Sequence, residues 1–215
     1  MLRERLNKEL LIFDGGFGSQ LQELGMKAGE IPEYYNIEHP EIIIDIHQRY
    51  LKAGADFITT NTFGANPLKL EQHQYNYQEV ILAAVKNAKE AKKIKPDAYI
   101  ALDIGPIGKL MEPMGTLTFD EVYQSVKQMV ELVKDEVDVV LFETMTDIYE
   151  LKASILAVKE CSDLPIFATM TFETSGRSLS GCDPLTMVNV LEGLKVDALG
   201  INCSLGPTEM APIIE

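Results

Sequence analysis

The chain has 215 residues, 46% hydrophobic and 24% charged, an ordinary globular composition with room for one domain around a large core. Its 33 acidic and 19 basic residues leave a formal net charge of -14, which argues against a nucleic acid as partner, since phosphate backbones demand a positive footprint. No apolar run approaches membrane-span length, the amino terminus lacks the apolar stretch of a signal peptide, and three widely spaced cysteines imply no disulfide framework, so no membrane association and a cytoplasmic location are expected.

Six short apolar runs recur along the chain, at 10–14, 56–62, 98–104, 138–143, 165–171 and 197–203. Continuous apolar stretches of this length read as strands covered on both faces. Short helices are expected around the first run. Pro40 then opens a helix ending near Gly54, with Ile43, Ile46 and Tyr50 on one stripe. The long interval after the second run holds a loop and a helix near 77–92. Thr118 and Glu121 form a capping box ahead of Val122, Val126, Met129, Val130 and Val133. Leu151, Ile155 and Val158 give the next helix its apolar face, and Asp183-Pro184 reads as a cap and first helical residue. The last residues, 210–215, fall within a sixth helix.

Alternating strands and helices predict a parallel sheet, closed either as an open doubly wound sheet or as a (β/α)8 TIM barrel, with the barrel favoured. Six strands fall short of the eight a barrel needs, so the expectation is one domain, 1–215, truncated to about six βα units and incomplete at its carboxyl end.

In either closure the chemistry belongs at the carboxyl ends of the strands. Asp14, Asp103 and Glu143 end three of the runs. Carboxylates placed after apolar strands are costly unless something cationic or hydrogen-bonding meets them, so an ammonium group or a metal ion is the natural guest. The competing reading is that each caps a helix or bonds loop amides. The Gly15-Gly16-Phe17-Gly18 turn is open to a phosphate, as in an aldolase-like barrel enzyme, although Asp14 beside it would repel one. Cys203 ends the sixth run and faces the mouth, whereas Cys161 reads as packing and Cys182 as a loop residue. His47 shares the stripe of Ile43 and Tyr50 and reads as a satisfied core histidine; only His73 lies in a loop from which a mouth is within reach.

The segments DGGFGSQLQ (14–22), AGADFITTNTFGAN (53–66), DIGPIGKLMEPMG (103–115), FETMTDIYELKA (142–153), MTFETSGRSLSGCDP (170–184) and DALGINCSLGP (197–207) resemble the homocysteine S-methyltransferase family, particularly the amino-terminal module of its cobalamin-dependent members. The likeness runs in order over essentially the whole chain. It implies a (β/α)8 barrel that binds homocysteine through zinc and methylates its sulfur to give methionine. Cys203 matches the first of three zinc-binding cysteines, and the other two would lie beyond residue 215. Asp14 with Gly15 matches a substrate-contacting pair and Glu143 the acid that meets the amino group. Asn61, Asp103, Thr171 and Asn202 fall on mouth-lining positions. Zinc would hold the substrate sulfur as a thiolate, a far better nucleophile than the thiol. The methyl donor would be the methylcobalamin and methyltetrahydrofolate system, carried on other modules or a cobalamin-carrying protein. A rival expectation is an inactive partial barrel, a homo-oligomer formed through its open edges.

Overall fold

Five of the six apolar runs become strands in the computed structural model, which describes residues 2–214: β1 (Phe57–Thr59), β2 (Tyr99–Ile104), β3 (Val139–Met145), β4 (Ile166–Met170) and β5 (Ala198–Ile201). All neighbours are parallel and the spatial order is the chain order. A doubly wound sheet reverses its order at a switch point, so this uninterrupted order is the arc of a barrel. The open-sheet alternative is thereby removed.

The run 10–14 is a correction to the six-strand expectation. The amides of Asp56 and Phe57 both donate to the Ile12 carbonyl, at 2.7 and 3.1 Å, and the Asp14 amide donates to the Phe57 carbonyl at 3.1 Å. The segment therefore lies extended along β1 without joining the ladder. Only Ile12 and Asp14 make those backbone bonds, too few for a ladder, and Leu10 and Ile12 face solvent.

Helices form where the local signals sit. Preceding β1 are α1 (Leu2–Arg5), α2 (Phe17–Glu23), a 3-10 turn (Pro32–Tyr34), α3 (Tyr35–Glu38) and α4 (Pro40–Ala53). Pro40 supplies the first turn of α4, and Gly54 ends it at φ 112, a conformation that a residue with Cβ resists. After β1 come α5 (Pro67–Leu70) and α6 (Tyr77–Lys92), the latter opened by an Asn76/Glu79 capping box. The Thr118/Glu121 box opens α7 (Phe119–Val133), Asp147 caps α8 (Ile148–Cys161), Asp183 caps α9 (Pro184–Gly193), and α10 (Pro207–Ile214) follows β5. Residue 215, the end of the expected sixth helix, lies outside the described residues. Among those residues, no helix is long and apolar enough to cross a membrane.

Strand alternation divides the core in two. Ile58, Ile100, Leu102, Val140, Phe142, Ile166 and Ala168 point outward and pack against the helices, notably Val126, Met129 and Val130 of α7 and Leu151 and Ile155 of α8. Phe57, Ala101, Val139, Leu141 and Phe167 point inward and gather around Leu2 of α1 and Phe13, whose ring stacks on Phe57 at 4.2 Å. Each fully buried large side chain is worth about 1.5–3 kcal/mol. His47 is buried as expected, but neither ring nitrogen has a hydrogen-bond partner, and burial pushes its pKa down to about 3. The histidine therefore stays neutral against the Phe17 ring.

The amino ends of the strands share one device. Asp56 donates its amide to the Ile12 carbonyl and accepts the Ile12 amide on its carboxylate at 3.0 Å. Asp138 does the same with Ile100, and Asp197 with Ile166. Each clamp also carries a cation: Arg5 and Lys95 at 3.7 and 3.6 Å from Asp56, Lys92 at 3.1 Å from Asp138, and Arg3 at 2.6 Å from Asp197. The Arg3 bridge pins α1 across this end, where Leu2 plugs the floor of the arc.

Candidate functional site

The inward rows that begin as apolar residues end as polar ones. Phe57 is followed two residues on by Thr59, Ala101 by Asp103, Leu141 by Glu143 and Phe167 by Thr169, so period-two alternation carries four polar side chains onto the concave face. They open into a cavity of about 810 Å³ lined also by Asp14, Gly15, Glu33, Asn61, Phe63, Asn202 and Cys203. Of the residues singled out from the sequence, Asp14, Gly15, Asn61, Asp103, Glu143, Asn202 and Cys203 thus meet in one place. Thr171 does not line it. The alternation breaks after Met170, where β3 carries a bulge between Phe142 and Met145, and the Thr171 hydroxyl instead bonds Ser204 at 2.5 Å. His73 and Cys182 are also absent from the lining, and Cys161 lies at the end of α8.

No lysine, arginine or histidine is among the described residues that line the cavity, yet four carboxylates are. Asp14 is held by Thr59, whose amide donates at 2.8 Å and whose hydroxyl donates at 3.1 Å. Those bonds favour the anion, but burial outweighs them and the pKa rises to about 7. Asp103 is buried, and desolvation together with the charges of Glu143, Asp14 and Glu33 drives its pKa well above the ordinary 3.8. Desolvation raises Glu143 as well. Three carboxyls biased toward their neutral forms mark a pocket that lacks a cation of its own. Gly15 lets the backbone run close to Tyr50, since a Cβ would come within 3.0 Å of the Tyr50 hydroxyl, which donates to the Gly16 carbonyl.

On the β3–β5 side, Asn202 acts as a staple. Its side-chain oxygen accepts the Thr144 amide and the Thr169 hydroxyl, each at 2.9 Å, and its nitrogen donates to the Thr144 hydroxyl at 2.9 Å and to Cys203 Sγ at 3.4 Å. The amide's hydrogen-bonding capacity is spent on protein. The Thr144 hydroxyl in turn donates to Cys203 Sγ at 3.6 Å. Thr144, Cys203 and Ser204 all have φ near 60, a conformation costing roughly 1 kcal/mol or more for each non-glycine residue. That strain, with the staple, sets the exposed Cys203 sulfur at the cavity rim.

The donor set does not complete a zinc site. Among the described residues no group of three histidine, cysteine, aspartate or glutamate side chains is arranged to hold a metal ion, and Cys203 offers one sulfur where a structural or catalytic zinc takes three or four protein ligands.

Sequence reasoning missed Glu33 and Phe63. Glu33 stands on a 3-10 turn away from every apolar run and Phe63 just past the end of one, and nothing in the local pattern Pro32-Glu33-Tyr34 announces a buried acid.

The sequence and the fold have counterparts. A methionine synthase of Mycobacterium leprae (strain TN) is 29% identical over 228 residues, covering 98% of this chain and 19% of that protein. A methionine synthase of Mycobacterium tuberculosis (strain ATCC 25618 / H37Rv) is 28% identical over the same shares. The chain thus spans about a fifth of the length of these curated relatives. Among solved structures, the homocysteine methyltransferase MmuM from Escherichia coli in its metallated form superposes with a TM-score of 0.82 at 21% identity, over 94% of this chain and 77% of that one. Its apo form gives 0.76 at 25% identity, over 95% of this chain and 76% of that one. The family model described as homocysteine S-methyltransferase matches residues 11–215. With the polar ends of the inward rows gathered on one cavity and a family match along nearly the whole sequence, this chain belongs to the homocysteine S-methyltransferase family.

Proposed function

We propose that residues 1–215 form part of one (β/α)8 domain that binds homocysteine for methylation of its sulfur to methionine. The observation that carries this reading is the cavity with four carboxylates, no cationic side chain among its described lining residues, and a cysteine sulfur at its rim. Homocysteine bears an ammonium group at one end and a thiol at the other, so the acids anchor the first and leave the second toward Cys203. Holding the substrate at both ends fixes the sulfur for attack on an incoming methyl group. Asp14 and Glu143 are the anchors that this reading draws from the family likeness.

The zinc of the reading needs thiolates in addition to Cys203, and the described residues do not provide them. The methyl donor, assigned to a methylcobalamin and methyltetrahydrofolate system on other modules, is supported by the likeness to methionine synthases of which this chain matches a fifth. A cytoplasmic setting goes with the same reading.

The test is titration of the chain with L-homocysteine by calorimetry or ligand-observed NMR. Binding at millimolar or tighter affinity, weakened by Glu143→Gln, is expected; no binding at tens of millimolar overturns the reading. Inorganic phosphate serves as the control, since four acids around the Gly15–Gly18 turn repel an anion. A rival, self-association of an inactive partial barrel, is favoured by β5, which among the described residues pairs with β4 alone and exposes Leu199. A monomer by sedimentation equilibrium removes it.

A further inference from the structure

The stretch 60–64, which leaves the end of β1 and supplies part of the cavity wall, is tied down at every residue. Toward β2, the Thr60 amide donates to the Ala101 carbonyl at 2.9 Å and the Thr60 hydroxyl accepts the Asp103 amide at 3.1 Å. The Thr62 hydroxyl donates to the Asp103 carbonyl at 2.7 Å, and the Phe63 carbonyl accepts the Gly105 amide at 3.0 Å. The remaining ties come from the 3-10 turn and α3. The Asn36 side chain donates to the Asn61 carbonyl at 2.7 Å, and the Asn61 side chain donates back to the Pro32 carbonyl at 2.7 Å. Glu33 Oε1 accepts the Gly64 amide at 2.6 Å. Asn87 of α6 fastens this bracket, donating to the Asn36 carbonyl at 2.9 Å.

Glu33 belongs to the cavity lining, but its carboxylate is engaged inside the wall. The residue is only 4% exposed, with Oε1 on the Gly64 amide and Oε2 closed off from solvent. Gly64 makes the contact possible, because an added Cβ would collide with Glu33 Oε1 and with the Lys69 ammonium, which therefore stands close to the carboxylate. An anionic acceptor bonds a backbone amide about twice as strongly as a neutral one. What this bond steadies is the preceding residue, Phe63. Its ring lies on Gly105, where a Cβ would clash with it; it lines the cavity and stays 39% exposed.

We propose that Glu33 is a positioning residue: through the Gly64 amide it holds the stretch 60–64, and with it Phe63, in the shape that a bound homocysteine meets. The inference rests on the homocysteine reading and deepens it. Glu33 touches no ligand in this role. The role needs an acceptor oxygen at that place in the wall, not a charge facing the cavity. A wall ordered before the ligand arrives spares binding the entropy of ordering it.

Glu33→Gln and Glu33→Met have similar reach, but only the first keeps an oxygen for the Gly64 amide. Titration with L-homocysteine, well below each variant's melting temperature, is combined with amide hydrogen exchange at 60–64. The expected affinity is within about threefold of the unaltered chain for Glu33→Gln and roughly tenfold weaker for Glu33→Met, with Gly64 exchange faster only in the latter. A lower melting temperature in Glu33→Met with unchanged affinity marks a merely structural role and overturns the proposal. Equal losses in the two variants overturn it as well, since they point to the charge. Should Glu33→Met not fold, the unaltered chain decides. Its Gly64 amide is expected to be as protected without ligand as the amides of β2, and homocysteine to leave that protection unchanged. A Gly64 amide that exchanges freely until homocysteine is added overturns the role of Glu33 and leaves the homocysteine reading intact. An unaltered chain that binds no homocysteine overturns that reading, and this role falls with it.

Discussion

The two ends of the sheet use the same residue type in opposite ways. At the amino ends Asp56, Asp138 and Asp197 each accept the backbone amide of the neighbouring extended segment and each face a lysine or arginine. At the carboxyl ends Asp14, Asp103 and Glu143, with Glu33 nearby, face one another and no cation from the described lining residues. The amide of Ile12 and nearby cations hold Asp56 below its ordinary pKa, while burial pushes Asp14 to about 7. The contrast teaches that one end is completed by the protein and the other is left for a ligand to complete.

Breaking the base is expected to produce the largest effect. Asp56→Ala removes the side-chain acceptor of the Ile12 amide together with the anion facing Arg5 and Lys95, and should destabilise the fold by roughly 0.5–1.5 kcal/mol, read from urea unfolding. Asp103→Asn, at the mouth, should have the opposite sign. Removing a buried, uncompensated acid should stabilise the ligand-free chain at alkaline pH by on the order of 1 kcal/mol. If both substitutions destabilise equally, the contrast between the ends is wrong.

The pH profile sharpens it further. Asp14, Asp103 and Glu143 have raised values when folded, so their contribution is complete below the unfolded value, 3.8 for the aspartates, and is lost as pH rises through the folded value, about 7 for Asp14. Asp56 and Asp197 are lowered, so their contribution is present above 3.8 and lost as pH falls through their depressed values. The melting temperature of the ligand-free chain should therefore fall as pH rises from about 5 to 8, by about 2–4 °C per kcal/mol lost. Homocysteine should flatten that slope and release protons on binding near neutral pH, seen as a buffer-dependent heat in calorimetry. The smallest effect is expected from zinc, since one cysteine sulfur makes no tight site. A stoichiometric nanomolar complex would refute that.

What was legible in the sequence was whatever is decided locally. The Thr118/Glu121 box, the Pro40-to-Gly54 helix and the Asp183-Pro184 start need only neighbouring residues, and all three formed. The strand-end acids were legible because alternation carries Asp103 and Glu143 to the side of the apolar inward row. The misses are decided at a distance. The run 10–14 looks like a strand in composition, but a strand also needs a ladder of backbone bonds, and only Ile12 and Asp14 of this run bond to residues 56 and 57. The turn of Thr171 toward Ser204 follows a bulge on a different strand. Glu33 is buried by a contact with Gly64, 31 residues away, which no local pattern encodes.

The bridge between Arg3 and Asp197 joins residues 194 positions apart. During synthesis, at about 5–20 residues per second, α1 emerges roughly 10–40 s before its anchor exists. Leu2 must wait through that interval without the bridge that pins its helix to the floor of the arc. The floor is thus fastened only once β5 has emerged, and α1 acts as a latch that records whether that strand has arrived.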